Sequence, residues 1–196
     1  NVLEVAPNAF AVLKRSADFR VFWLGQSISL IGSHMQRVAL VWHVYQLTES
    51  PLALGLVGAC RLVPVLVLGL LGGVVADRFE RRKILLVTTT VMMLVSTALW
   101  ILTALSLIRV EMLYLCVALT SSASAFHAPA RQSLTPRLVS IEHLQPALTL
   151  SLLAWDVAGI LGAAIGGVVL AAATPAWVYL IDAVSYLAVI AALFSM

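Results

Sequence analysis

Gly73-Val-Val-Ala-Asp77-Arg78-Phe-Glu80-Arg81-Arg82-Lys83 is a charge cluster clamped between two long apolar runs. Upstream, Pro51 to Ala76 holds Arg61 as its single charged residue; downstream, Ile84 to Ile108 holds none. Runs of that length cross the roughly 30 Å hydrocarbon core of a bilayer as helices, so the cluster reads as a hairpin at the membrane surface. Asp77 is its awkward member. A carboxylate at the C-terminal end of a helix faces the negative pole of the macrodipole and needs a compensating partner. Basic residues alone would fix orientation, whereas the added acid points to a latch between helices built from Gly73, Asp77, Arg78, Arg81, Arg82 and Lys83.

Composition agrees with a membrane protein. Hydrophobic residues make up 62% of the chain and charged residues 11%, against about 25% charged in soluble domains, and the mean hydropathy is +1.03. So few charges cannot cover a soluble surface, and a disordered chain has the opposite bias. The net charge of +3 is not a nucleic-acid signature, because the basic residues sit at the ends of apolar runs, where they set topology. Cys60 and Cys116 lie inside apolar runs without paired spacing and read as small packing residues, with neither a disulfide nor a metal site. The N-terminal stretch lacks the pattern of a signal peptide. With no initiator Met and an apolar end at Leu187 to Met196, the chain is expected to be a piece of a longer protein.

In order, the expectation is an all-α polytopic bundle. Residues 1–20 form a cytoplasmic lead-in, and six transmembrane helices follow at about 21–47, 51–78, 83–108, 111–126, 146–172 and 175–196. Pro51 and Pro146 suit the first turn of helices two and five, with Ser50 capping helix two. Helix one is the wettest span. Gln26, Ser29, Ser33 and Gln36 recur at three- and four-residue steps, which places them in one stripe. Helix three is uniformly apolar and is expected to face lipid. Helix four offers Ser121 and Ser124 beside alanines. Helix two carries the small pair Gly69 and Gly73, and helix five carries Gly159, Gly162, Gly166 and Gly167 for close helix packing. Lys14, Arg15, Arg20, Arg78, Arg81, Arg82, Lys83, Arg131 and Arg137 fall on one side and Arg109 alone on the other, so both ends are expected in the cytoplasm.

Arg37 and Arg61 remain inside the membrane, with His34 and Asp156. Each Arg or Asp at a helix centre costs roughly 2.5–3.5 kcal/mol on insertion scales, so these residues must meet water or partners. Two readings stand side by side. His34 and Asp156 are protonation sites that couple transport to proton flow, or Asp156 forms a fixed ion pair with Arg37 or Arg61 and His34 packs. The helix-one stripe and the helix-four hydroxyls are read as the lining of a cavity, because a polar row cannot face lipid. Trp155 is read as core, with a substrate-stacking surface as the other reading, and Asp182 is read as structural or close to the outer interface.

The cluster G-x-x-x-D-R-x-x-R-R-K resembles the signature between helices two and three of the major facilitator superfamily, with Glu80 where the pattern has a glycine. Ala76-Asp-Arg-Phe-Glu-Arg-Arg-Lys83 is most similar to the branch of enterobactin exporters and macrolide-efflux proteins. Trp23-Leu-Gly-Gln-Ser27, Gln46 to Val57 and Pro129-Ala-Arg-Gln-Ser-Leu-Thr-Pro136 support the resemblance. Gly162-Ala163-Ala-Ile-Gly166-Gly167 resembles the antiporter motif of helix five, with Ala163 in place of its proline. The resemblance implies one half of a twelve-helix fold in a bacterial inner membrane, completed by a missing C-terminal six-helix half. It implies export of an amphipathic small molecule such as a drug or siderophore by alternating access, with protons as candidate coupling ion and no cofactor. The other class these residues allow is a non-transporting membrane receptor or assembly protein on the same bundle. A membrane enzyme is a third class, but no nucleophile with a base, metal-ligand cluster or phosphate loop occurs in the sequence to support it, and no enzymatic activity is expected.

Overall fold

The computed structural model describes residues 12–195, with the side chains of residues 70, 71 and 74–77 outside that description. One helical turn at 12–15 leads to six long helices: α1 (Ala17–Thr48), α2 (Pro51–Arg78), α3 (Arg81–Ala104), α4 (Val110–Leu134), α5 (Leu144–Ala172) and α6 (Pro175–Ser195). Short 3₁₀ turns at Thr135–Arg137 and Ile141–His143 join α4 to α5. The shortest of the six has 21 residues, about the 30 Å a bilayer core demands. Four of them, α2, α3, α5 and α6, are long and apolar enough to cross a membrane. Of the six expected spans, α1 and α4 fall short of that hydropathy because of their polar residues. Those same residues build the interior described below.

Three connections explain where the helices stop. Glu49, at φ 48°, ends α1 by donating its backbone N–H to Tyr45 at 2.8 Å, and Pro51 then opens α2. Ser106, at φ 56°, ends α3: its N–H reaches Thr103 and that of Leu107 reaches Leu102, closing the last turn with left-handed geometry. Helix three thus ends at Ala104, four residues before the expected Ile108. Glu80 has φ −62° and ψ 118°. The turn between α2 and α3 needs no positive φ, so a non-glycine residue fits there.

The helices pack in a row: α2 on α4, α4 on α3, α3 on α6, α6 on α1 and α1 on α5. Exchanging α1 with α4, α2 with α5 and α3 with α6 reproduces the same pairings. The exchanged helices run in opposite directions, so the symmetry is that of an inverted three-helix repeat. Arg61 and Asp156 obey it, each ten residues past a proline, Pro51 or Pro146.

α3 and α6 are central, which corrects the lipid-facing reading of helix three. One stripe of α3, including Leu85, Thr88, Thr89, Met92, Ser96 and Leu99, is buried, while Val87 and Leu94 face out. Close approach depends on small residues. A Cβ at Gly162 would lie 2.7 Å from the Ile31 carbonyl oxygen, and one at Gly25 would lie 2.8 Å from that of Ala188. Gly166 meets Met35, and Gly159 touches the His34 ring at ordinary distance. Gly167 has no neighbour within 4 Å, nor have Gly69 and Gly73; on α2 it is Gly72 that sits against Ala125. At the end where α1 meets α2, Ala39, Leu40, Val44, Val57, Leu99, Leu113, Val178 and Tyr179 form the main apolar core.

Candidate functional site

Below that core, at the end where α1 and α5 begin and α4 finishes, a cavity of about 600 Å³ lies among these three helices. Met92 of α3 and Tyr186 of α6 reach it from the central pair. Apolar walls come from residues such as Phe19, Phe22, Leu148 and Leu152. The polar lining includes Gln26, Ser29, Ser33, Ser124, Arg37 and Arg131. Gln26, Ser29 and Ser33 share a face of α1 because they recur every three or four residues.

Gln36 and Ser121 do not line the cavity. Both are buried, and Gln36 donates to Ser96 Oγ at 2.7 Å. Ser96 in turn donates to Asp182 Oδ2 at 2.7 Å, so α1, α3 and α6 are tied by one buried polar chain. Asp182 is completely buried, and among the described residues its Oδ1 has no hydrogen-bond partner. It lies deep in the bundle, not near an outer interface. Gly32 makes room for it: a Cβ there would lie 3.0 Å from Asp182 Oδ1. One turn along α6, the Tyr186 hydroxyl bonds Ser33 Oγ at 3.1 Å, and both groups line the cavity.

Trp155 is at the cavity wall instead of in the core. The guanidinium carbons of Arg37 and Arg131 each sit 5.3 Å from its ring, and His34 meets it edge-on with centroids 5.3 Å apart. Cation–π contact of this kind contributes about 0.5–2 kcal/mol. Arg37 also approaches His34, its Nη1 lying 3.4 Å from Nδ1. Arg131 is in the site because α4 runs on to Leu134 through Pro129, past the expected end at Phe126. Buried helices tolerate a proline when neighbours satisfy the freed carbonyl.

The proposed partners of Asp156 do not meet it. Asp156 and Arg61 are both exposed on the described bundle, and among the described residues the single ion pair is Lys83 to Glu80 at 2.9 Å, on the surface. In the hairpin between α2 and α3, Gly73 is half-buried, Arg81 half-buried, and Arg78, Arg82 and Lys83 exposed. The Asp77 side chain lies outside the described residues. Among the described residues no cluster of metal-ligating side chains occurs.

Residues 7–196 match a family described as transmembrane secretion effector. The staphyloferrin A transporter of Staphylococcus aureus is 27% identical over 168 residues, covering 85% of this chain and 42% of that protein. Macrolide efflux protein A of Streptococcus pyogenes is 30% identical over 126 residues, 64% of this chain and 31% of that protein. Enterobactin exporter EntS of Shigella boydii is 28% identical over 173 residues, 86% of this chain and 41% of that protein. The chain thus spans well under half the length of these relatives.

Proposed function

The chain belongs to the transmembrane secretion effector family of major facilitator transporters, and from that premise we propose that it forms the N-terminal six-helix half of a secondary exporter of amphipathic small molecules. The observation that carries the reading is the 600 Å³ cavity, which has both polar and apolar walls inside a bundle whose outer faces are apolar. Lipid excludes such a polar lining, so it must serve a solute or water. The relatives' names, a staphyloferrin A transporter, a macrolide efflux protein and an enterobactin exporter, favour an outward direction and an amphipathic cargo.

A single six-helix bundle encloses a cavity from one side. Alternating access then requires a second half, supplied by the C-terminal part of a full-length protein, rocking against α1, α2, α4 and α5. Exposed Lys14, Arg15, Arg20, Arg82, Lys83 and Arg137 gather at the cavity's end of the bundle, with Arg109 at the other. The positive-inside rule makes that end cytoplasmic in a bacterial inner membrane. In this orientation the cavity loads from the cytoplasm.

Protons are the coupling ion that the buried groups fit. Asp156 lies on an outward face, whereas Asp182 is interior, has one unused carboxyl oxygen, and sits one turn from the Ser33–Tyr186 pair at the cavity wall. The hairpin basic residues and Asp77 keep the latch role, holding α2 against the second half in one state.

The test is to fill the cavity. Full-length protein carrying Ser33→Trp, reconstituted in liposomes, is expected to insert normally and to lose at least nine-tenths of solute export driven by a pH gradient. Unchanged export with the cavity filled would reject the reading. A ligand that binds with no flux at all would favour the receptor alternative.

A further inference from the structure

We propose that the cavity selects cargo bearing at least two acidic groups beside a flat unsaturated or aromatic body. This deepens the export reading and rests on it. Three observations converge. First, Arg37 and Arg131 line the cavity from α1 and α4, and neither has a carboxylate within salt-bridge distance among the described residues. No Asp or Glu occurs in the described lining. A guanidinium keeps its charge under all ordinary conditions, so two fixed positive charges stand in a low-dielectric site with no carboxylate in contact with either among the described residues. Second, both guanidiniums are set by the same indole, each 5.3 Å from the Trp155 ring. The contact orients them without neutralising them, and it leaves the N–H groups of Arg131, and those of Arg37 that do not face His34, for an oxyanion, which guanidinium binds in bidentate fashion. Third, Gln26 lines the cavity, and its side-chain nitrogen is buried without a hydrogen-bond partner among the described residues, so a small rotation of the amide would offer a further donor to an acceptor-rich ligand.

The apolar remainder fixes the other half of the ligand. Phe19, Phe22, Trp23, Leu30 and Leu152 offer surface to a ring or hydrocarbon body. The site is therefore built from a cationic pole and an apolar wall, which suits an amphipathic anion better than a cation. A cationic drug would have to approach two uncompensated positive charges in a poorly screened space.

The probe is naphthalene-2,6-dicarboxylate, compared with the uncharged naphthalene-2,6-dicarboxamide. Binding is measured by titration calorimetry on the full-length protein in nanodiscs of zwitterionic lipid. The dicarboxylate is expected to bind at least tenfold more tightly than the diamide. Arg37→Gln and Arg131→Gln should each cut dicarboxylate affinity about tenfold while leaving diamide affinity unchanged, which also shows that the variants are folded. Arg131→Lys should retain part of the preference. Equal affinity for the two probes, or undiminished dicarboxylate binding in both Gln variants, overturns the proposal. Loss of dicarboxylate binding in discs of phosphatidylglycerol would make a lipid headgroup the occupant and would overturn the assignment to a soluble ligand. If the preference is absent in a protein that still exports solute, this inference falls and the transport reading stands. Preference without any export would do the reverse.

Discussion

Asp182 is the residue on which the interior turns. It is fully buried, bonded by Ser96 on one oxygen and unpartnered on the other. A buried polar group with unmet capacity is costly, which motivates the coupling role proposed above for Asp182. Asp182→Asn keeps shape and an acceptor for Ser96. We expect it to fold and to catalyse solute counterflow near the parental rate, yet to lose accumulation driven by a pH gradient. Gradient-driven accumulation at parental level in that variant would show that Asp182 is only a packing group. Ser96→Ala removes the donor and leaves both Asp182 oxygens and the Gln36 amide unsatisfied. It should destabilise the bundle by about 1–3 kcal/mol, read as a lowered thermal midpoint in detergent. Spacing alone could not locate Asp182. Its position seven residues into a helix suggested the interface, whereas depth in the bundle depends on how α6 sits between α1 and α3. Trp155 misled for a related reason, since a large aromatic fits a core or a cavity wall equally well.

At the scale of elements, the polar stripe of α1 was legible because three- and four-residue recurrence defines a helix face without reference to neighbours. That recurrence could not say which side chains would meet the cavity and which another helix. Gln26, Ser29 and Ser33 meet the cavity, and Gln36 meets α3. The end of α4 was not legible. Serines, Pro129 and Arg131 after Phe126 look like a loop, and only packing against neighbours carries the helix on to Leu134. Nor was the stop of α3, because Ser106 adopts a left-handed conformation that sequence ordinarily marks with glycine or asparagine. Ser106→Gly should therefore stabilise the protein by up to about 1 kcal/mol, seen as a small rise in thermal midpoint. Glycine contacts sort the packing further. Gly162→Ala drives a methyl group onto the Ile31 backbone and should cost about 1–3 kcal/mol, while Gly167→Ala, with open space around it, should be close to neutral. Equal losses in the two variants would contradict the packing of α1 on α5.

For the whole molecule, the inverted repeat organises what each helix does. α3 and α6 meet at its centre, α1 and α4 carry the polar lining, and α2 and α5 present their outer faces. Arg61 and Asp156 occupy matching places on those outer helices, and neither meets an opposite charge within salt-bridge distance among the described residues. In sequence, α2 and α5 share only a high glycine content and one lone charge apiece, without an alignable repeat. The sequence did not show the pairing order, because contacts between helices distant in the chain leave no periodic trace. The family match over residues 7–196 and the cavity are independent observations, and both favour the proposed solute path.

The central claim is that the α1 stripe faces water inside the membrane, and cysteine accessibility tests it most directly. In full-length protein with Cys60 and Cys116 replaced by alanine, single cysteines at Gln26, Ser33 and Leu94 are exposed to a charged, water-soluble thiol reagent in sealed membranes of either orientation. Gln26→Cys and Ser33→Cys should react from the side bearing the start of α1, and Leu94→Cys, on the outer face of α3, should stay unmodified. Protection at positions 26 and 33 from both sides, with modification at position 94, would contradict it.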